Sequence, residues 1–249
     1  MIHFFRKIRQ QLFSKGKFSS YLLYALGEIA LVMIGILLAL QVNNWNSLRL
    51  QQNEITSKYE RLLTELNSTS ARVEQKAQYL DSIIVGRNKR SLELLSKKNE
   101  DSIHLIYNSL QGVTNVVTVG YDMPATNEFM EAGYISAIDN DSLKSLFLNL
   151  KRSLSFGTIV DDYAKTQLNT LIEPYVVKNI NYAQMVKGQS MITVNPTRDY
   201  TVFFNDLELE NILNLKIETD VTKINYLKTF NAILRETASV ISSELEKSK

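Results

Sequence analysis

Residues Tyr21 to Val42 form one apolar run that carries a single acidic or basic side chain, Glu28. As an α-helix rising about 1.5 Å per residue, the run spans roughly 33 Å, the hydrocarbon thickness of a bilayer. It is longer than the apolar core of a cleaved signal peptide, and Leu37-Leu38-Ala39 near its end lacks the small-x-small cleavage pattern. The expectation is a permanent transmembrane helix over residues 18–45, with membrane lipid as its first partner. Residues 1–17 then form a basic cytoplasmic segment, and residues 46–249 one extracytoplasmic helical domain.

Charge sets the orientation. Arg6, Lys7, Arg9, Lys15 and Lys17 precede the apolar run without an acid among them, against Arg49, Lys58 and Arg61 shortly after it. The positive-inside rule places the N-terminus in the cytoplasm and the larger domain across the membrane. Projected as a helix, Met1 to Phe13 puts Ile2, Phe4, Phe5, Ile8, Leu12 and Phe13 on one broad face. Such a segment either lies on the inner leaflet with its cations near anionic headgroups or acts only as a topology signal. Setting aside these five cations and Glu28 leaves 23 basic residues from 28 and 25 acidic residues from 26. A nearly neutral domain of this kind offers no nucleic-acid surface.

Beyond the run, Trp45 suits the membrane interface as an anchor. Ile55, Tyr59, Leu62, Leu66, Val73, Leu80 and Ile84 recur at helical spacing, with interruptions around Thr69 and Lys76. A shorter helix is expected over 101–110, ending before Gly112. A strand or extended loop is expected over Val113–Val119, and a small helix over Pro124–Ala132 ended by Gly133. Asp139-Asn140-Asp141-Ser142 supplies N-cap candidates for a long helix carrying Leu143, Phe147, Leu150, Leu154, Val160, Tyr163, Leu168 and Leu171. Pro174 is expected to kink or split that helix before 175–186.

The stretch from Gly188 to Phe204 reads as a loop, with Met191–Val194 and Tyr200–Phe204 as possible paired strands. The last helix follows Asn205 or Asp206, with a stripe of Ile212, Ile217, Val221, Ile224, Leu227, Leu234, Ala238, Ile241 and Leu245. The fold class is therefore all-α: one transmembrane helix leading into an elongated helical bundle with small loop or strand elements.

Chemical motifs are sparse. There is no cysteine, which removes disulfides and thiol chemistry. No phosphate loop, nucleophile elbow or HExxH motif occurs, and His3 and His104 lack metal-like neighbours. Asp139-Asn140-Asp141 lacks the glycine of a calcium loop, since Lys144 occupies that position, and helix capping accounts for it better. Asp161-Asp162 has no evident acid–base partner and reads as a solvated face. No catalytic, cofactor or metal residues are assigned.

Glu28 is the exception. A charge this deep costs at least about 2.5–3.5 kcal/mol, so the carboxyl is expected to be neutral or matched by a group from another helix. Tyr24, Leu31, Gly35 and Ala39 share its stripe, and Gly35-x-x-x-Ala39 permits close helix approach. A homo-oligomer, or pairing with another membrane protein, would cover this face. Within it Glu28 serves either as hydrogen-bonding glue or as a proton or ion carrier; the remaining reading is a neutral carboxyl tolerated without a role.

Three strings carry a resemblance: Phe4-Phe5-Arg6-Lys7-Ile8-Arg9-Gln10, Tyr21-Leu22-Leu23-Tyr24-Ala25-Leu26-Gly27-Glu28-Ile29, and the stretch from Ile34 to Asn46, which ends Gln41-Val42-Asn43-Asn44-Trp45-Asn46. Together they resemble an uncharacterised single-pass membrane protein family of Bacteroidota. Gly133 followed by Asp139-Asn140-Asp141-Ser142-Leu143 is similar to that family's central segment. The resemblance implies a Gram-negative inner membrane and a periplasmic domain, and it brings no activity with it. The resulting expectation is a non-enzymatic interaction or scaffold protein. The alternatives are a subunit of an ion-coupled complex using Glu28 and a periplasmic ligand-sensing bundle.

Overall fold

The computed structural model describes residues 18–185 and 199–247. The basic residues Arg6, Lys7, Arg9, Lys15 and Lys17, the amphipathic segment and the strand expected over 191–194 lie outside the described residues. Every regular element among the described residues is helical. Contacts divide the chain into Met1–Ser57 and Lys58–Lys249.

Helix α1, Phe18–Tyr79, is the longest element. Its first part contains the only described stretch long and apolar enough to cross a membrane. An 18-residue window there has a mean hydropathy of 2.2, and none of it is buried. Side chains from Ile29 to Leu50 are all exposed.

The unit from Lys58 onward is a helical bundle. The expected α1 stripe is its spine: Tyr59, Leu62, Leu66 and Val73 are buried, followed by Leu80 and Ile84 in a π-helical turn, Leu80–Val85. Thr69, a polar interruption of the stripe, is itself fully buried. Helices α2 (Gly86–Lys97) and α3 (Ile106–Thr114) follow, linked by the 3₁₀ turn Ile103–Leu105. They bury Leu94, Leu95, Ile106, Tyr107, Leu110 and Val113 in one cluster with Leu209, Ile212 and Leu213. Gly112 was expected to lie beyond the helix end, yet it sits inside α3. A Cβ there would stand 2.7 Å from Asn88 Oδ1 and 3.1 Å from the Ile84 carbonyl, so close helix packing, not termination, accounts for the glycine.

Helix α4, Pro124–Glu131, starts on its proline and is followed by Gly133 at φ 78°, as its sequence implied. Helix α5, Asp141–Gln167, is capped by Asn140, whose side chain accepts from the Leu143 N–H at 3.1 Å. Its Phe147 stacks on Phe129 of α4, ring centroids 5.0 Å apart. The disruption expected at Pro174 takes the form of a π-helical turn, Leu168–Ile172, which carries the chain into α6, Glu173–Asn179. Widening the turn accommodates a residue that has no N–H to donate. The short α7, Tyr182–Met185, comes next.

Neither described strand candidate forms. Val113 and Thr114 belong to α3, and the residues after them pair with no strand. Tyr200–Asn205 is a 3₁₀ helix. The Asp199 side chain accepts from the Thr201 N–H at 2.9 Å, and the i, i+3 spacing buries Tyr200 and Phe203 together. Helix α8, Leu207–Lys247, closes the bundle against α5 and α2.

Candidate functional site

The sequence singles out one face of α1. Glu28 is partly buried; Leu31 (74 % exposed), Gly35 and Ala39 are open, and a Cβ at Gly35 would meet nothing within 4 Å. Helical spacing sets these residues on or beside one stripe. The side chain of Tyr24 lies outside what is described. Trp45 is exposed, with the Arg49 guanidinium 5.6 Å from its ring centre, close enough for the cation to attract the ring face.

A second site emerges only from the tertiary structure. The nine residues between α3 and α4, 115–123, have no regular secondary structure, yet Val119 and Met123 are fully buried. Buried backbone polar groups must find partners, and here charged side chains supply them. Lys223 Nζ donates to the Val117 carbonyl at 2.7 Å, and Lys76 Nζ to the Thr118 carbonyl at 2.8 Å. Asp161 accepts from the Val119 N–H with both oxygens, at 2.9 and 2.8 Å, and from the Gly120 N–H at 2.8 Å. Four consecutive residues are thus held by side chains from α1, α5 and α8.

Glu65 of α1 continues the pattern. Its carboxylate accepts from the Ala125 and Thr126 N–H groups at 2.9 and 2.8 Å and from the Thr126 hydroxyl at 2.7 Å. A carboxylate at a helix N-terminus is favoured both by the orphan N–H groups and by the helix dipole. One turn earlier, Lys58 and Arg61 pair with Glu128. The Lys58 ammonium hydrogen-bonded to Glu128 holds that carboxyl below its ordinary range.

Asp161 is therefore no solvated residue. It is 5 % exposed, and Lys223 Nζ lies 3.2 Å from its Oδ1. Asp162 alone faces solvent, beside Lys165 at 3.6 Å. Next along α8, Lys216 Nζ lies 2.7 Å from both Asp220 oxygens, and both residues are buried. Burial pulls the Lys216 ammonium down and pushes the Asp220 carboxyl up, while their mutual attraction opposes both shifts. Thr219 donates to Gln167 Oε1 at 2.8 Å.

The register of α8 turns these charges inward. The expected stripe filled the gap between Ile212 and Ile224 with Ile217 and Val221. The buried seam instead passes through Lys216, Thr219, Asp220 and Lys223, leaving Val221 exposed and Ile217 intermediate. Spacings of four, four, three and four from Ile212 to Lys216, Asp220, Lys223 and Leu227 contained the signal. Read as a helix face, they mark charges that have to be buried in pairs.

Among the described residues, no three His, Asp or Glu side chains gather as a metal-holding group. Compared with models of protein families, with curated proteins and with solved structures, the chain matches none.

Proposed function

We propose that this chain is a membrane-tethered interaction protein, held in the bilayer by the first part of α1 and offering the charge-held 115–123 segment to a protein partner. The observation that carries the reading is the unburied apolar stretch in the first part of α1. Exposed apolar side chains over this length are costly in water and favourable in lipid. The second support is the 115–123 loop, held at its backbone by side chains. Binding residues concentrate on loops positioned by a stable scaffold, and the clamped backbone satisfies that description.

Within the membrane, Glu28 and the open Gly35–Ala39 face associate with a second copy or with another membrane protein. The basic N-terminal residues favour a cytoplasmic N-terminus. The family resemblance favours a Gram-negative inner membrane with the bundle in the periplasm.

Alkaline carbonate extraction of membranes tests the tether: the chain stays in the pellet, and release into the supernatant overturns the reading. Single cysteines at Gly35 and Leu37 test the face. Crosslinking at Gly35 should exceed that at Leu37, and equal yields refute the interface. Glu28→Gln separates glue from carrier, because glutamine hydrogen-bonds but holds no titrating proton. Assembly and phenotype both retained fit the interaction protein; assembly retained with phenotype lost favours the ion-coupled alternative. Mass spectrometry after gentle-detergent purification then identifies partners.

A further inference from the structure

Arg72 and Lys76 are four residues apart on α1 and so share a helix face. With Tyr79 they form one wall of a cleft of about 600 Å³, whose other wall is Val117, Tyr121 and Asp122 of the clamped segment. The cleft is shallow and open to solvent, with room for a small organic molecule laid against its walls. The Tyr121 ring lies beneath both cations, with Lys76 Nζ 4.4 Å and Arg72 Cζ 6.0 Å from its centre.

The charges here do not balance. Asp161, a buried carboxylate beside Gly120 of the cleft, is already committed to Lys223 and to two backbone N–H groups. What remains at the cleft is Arg72 and Lys76 against Asp122. Lys76 gives one bond to the Thr118 carbonyl, and it is half-buried with Asp161, Arg72 and Lys223 as its charged neighbours. Arg72 gives one bond to Thr69 Oγ1 at 3.0 Å, and its other N–H groups have no acceptor among the described residues. A planar guanidinium with open donors is the side chain best matched to a carboxylate. Val117 and the two tyrosine rings supply apolar surface beside it.

We propose that this cleft binds a small organic carboxylate, its anionic end on Arg72 with Lys76 behind it and its apolar body against Val117 and Tyr121. Inorganic phosphate offers the charge without the body, and a neutral alcohol of the same shape offers the body without the charge. The proposal does not depend on the membrane tether.

The test is a thermal-melting titration of the full chain in non-ionic detergent with benzoate, benzyl alcohol and inorganic phosphate. Benzoate raises the melting temperature in a saturable way, and the other two do so far less. Arg72→Gln, at an exposed position, weakens benzoate about tenfold, the loss of one charge-assisted contact. Asp122→Asn removes the opposing charge and tightens benzoate about threefold, which no folding defect imitates. The proposal is overturned if benzoate gives no rise, if Arg72→Gln leaves its affinity unchanged, or if phosphate or benzyl alcohol performs equally well.

Discussion

Lys223 and Asp161 form a buried ion pair, 3.2 Å apart, in which each partner also holds the backbone of the same four-residue stretch. The lysine takes a carbonyl at Val117, and the aspartate takes the N–H groups at Val119 and Gly120. The pair thus does more than neutralise itself. It supplies the backbone partners that this segment, without regular secondary structure, does not find in a helix or sheet.

Asp161→Asn should destabilise the bundle by about 3–5 kcal/mol, since it leaves Lys223 buried without its counter-charge. Replacing both residues with apolar ones, as Asp161→Leu with Lys223→Met, should not restore stability, because the Val119 and Gly120 N–H groups would remain orphaned. Chemical denaturation of the full chain in detergent measures both. Full recovery in the double variant would show that the backbone bonds are dispensable.

The Lys216–Asp220 pair should behave in the opposite way. Its two charges serve each other, and no backbone bond depends on either among those described. Asp220→Leu alone costs about 3–5 kcal/mol, whereas Lys216→Met with Asp220→Leu is neutral or stabilising by about 1–4 kcal/mol. A double variant as unstable as the single would contradict this assignment.

Gly157 lets α5 approach α8. A Cβ at this position would lie 2.5 Å from the Tyr226 hydroxyl, which itself donates to the Ser153 carbonyl at 3.0 Å. Gly157→Ala is expected to cost about 1–3 kcal/mol through overpacking. Adding Tyr226→Phe removes the nearest atom, so the double variant loses less than the sum of the two single losses. Strict additivity in a double-mutant cycle would dismiss the contact.

Acid should loosen α4. The Lys58 hydrogen bond lowers the Glu128 pKa in the folded state, so its stabilisation is present above the ordinary glutamate value of 4.5 and is lost as pH falls through the lowered value. Lys58 itself is raised and stays charged throughout this range. Native protein and Glu128→Gln should therefore differ in melting temperature at neutral pH and converge at strongly acidic pH. A gap that persists unchanged into acid would rule out this pair as its source.

Local pattern was enough for much of the architecture. The stripe from Tyr59 to Ile84, the cap at Asn140 and the stop at Gly133 are each written within a few residues, because helix periodicity and capping are short-range rules. The errors share a different cause. Gly112 reads as a terminator but lies inside α3, Val113–Val119 reads as a strand or extended loop and is the end of α3 followed by an irregular stretch, and Asp161 reads as a surface residue but is buried. In each case the deciding partner lies far along the chain: Asn88 and Ile84 for the glycine, Lys223 and Lys76 for the loop and its aspartate.

By itself the sequence determined that this chain is helical and that it carries one apolar segment of membrane-spanning length, since both follow from composition and spacing along a single helix. Only the tertiary structure decided which charges are buried and what they hold. A buried charge is tolerable only beside its counter-charge or a backbone dipole, and those partners were brought together by helix packing across more than forty residues of chain.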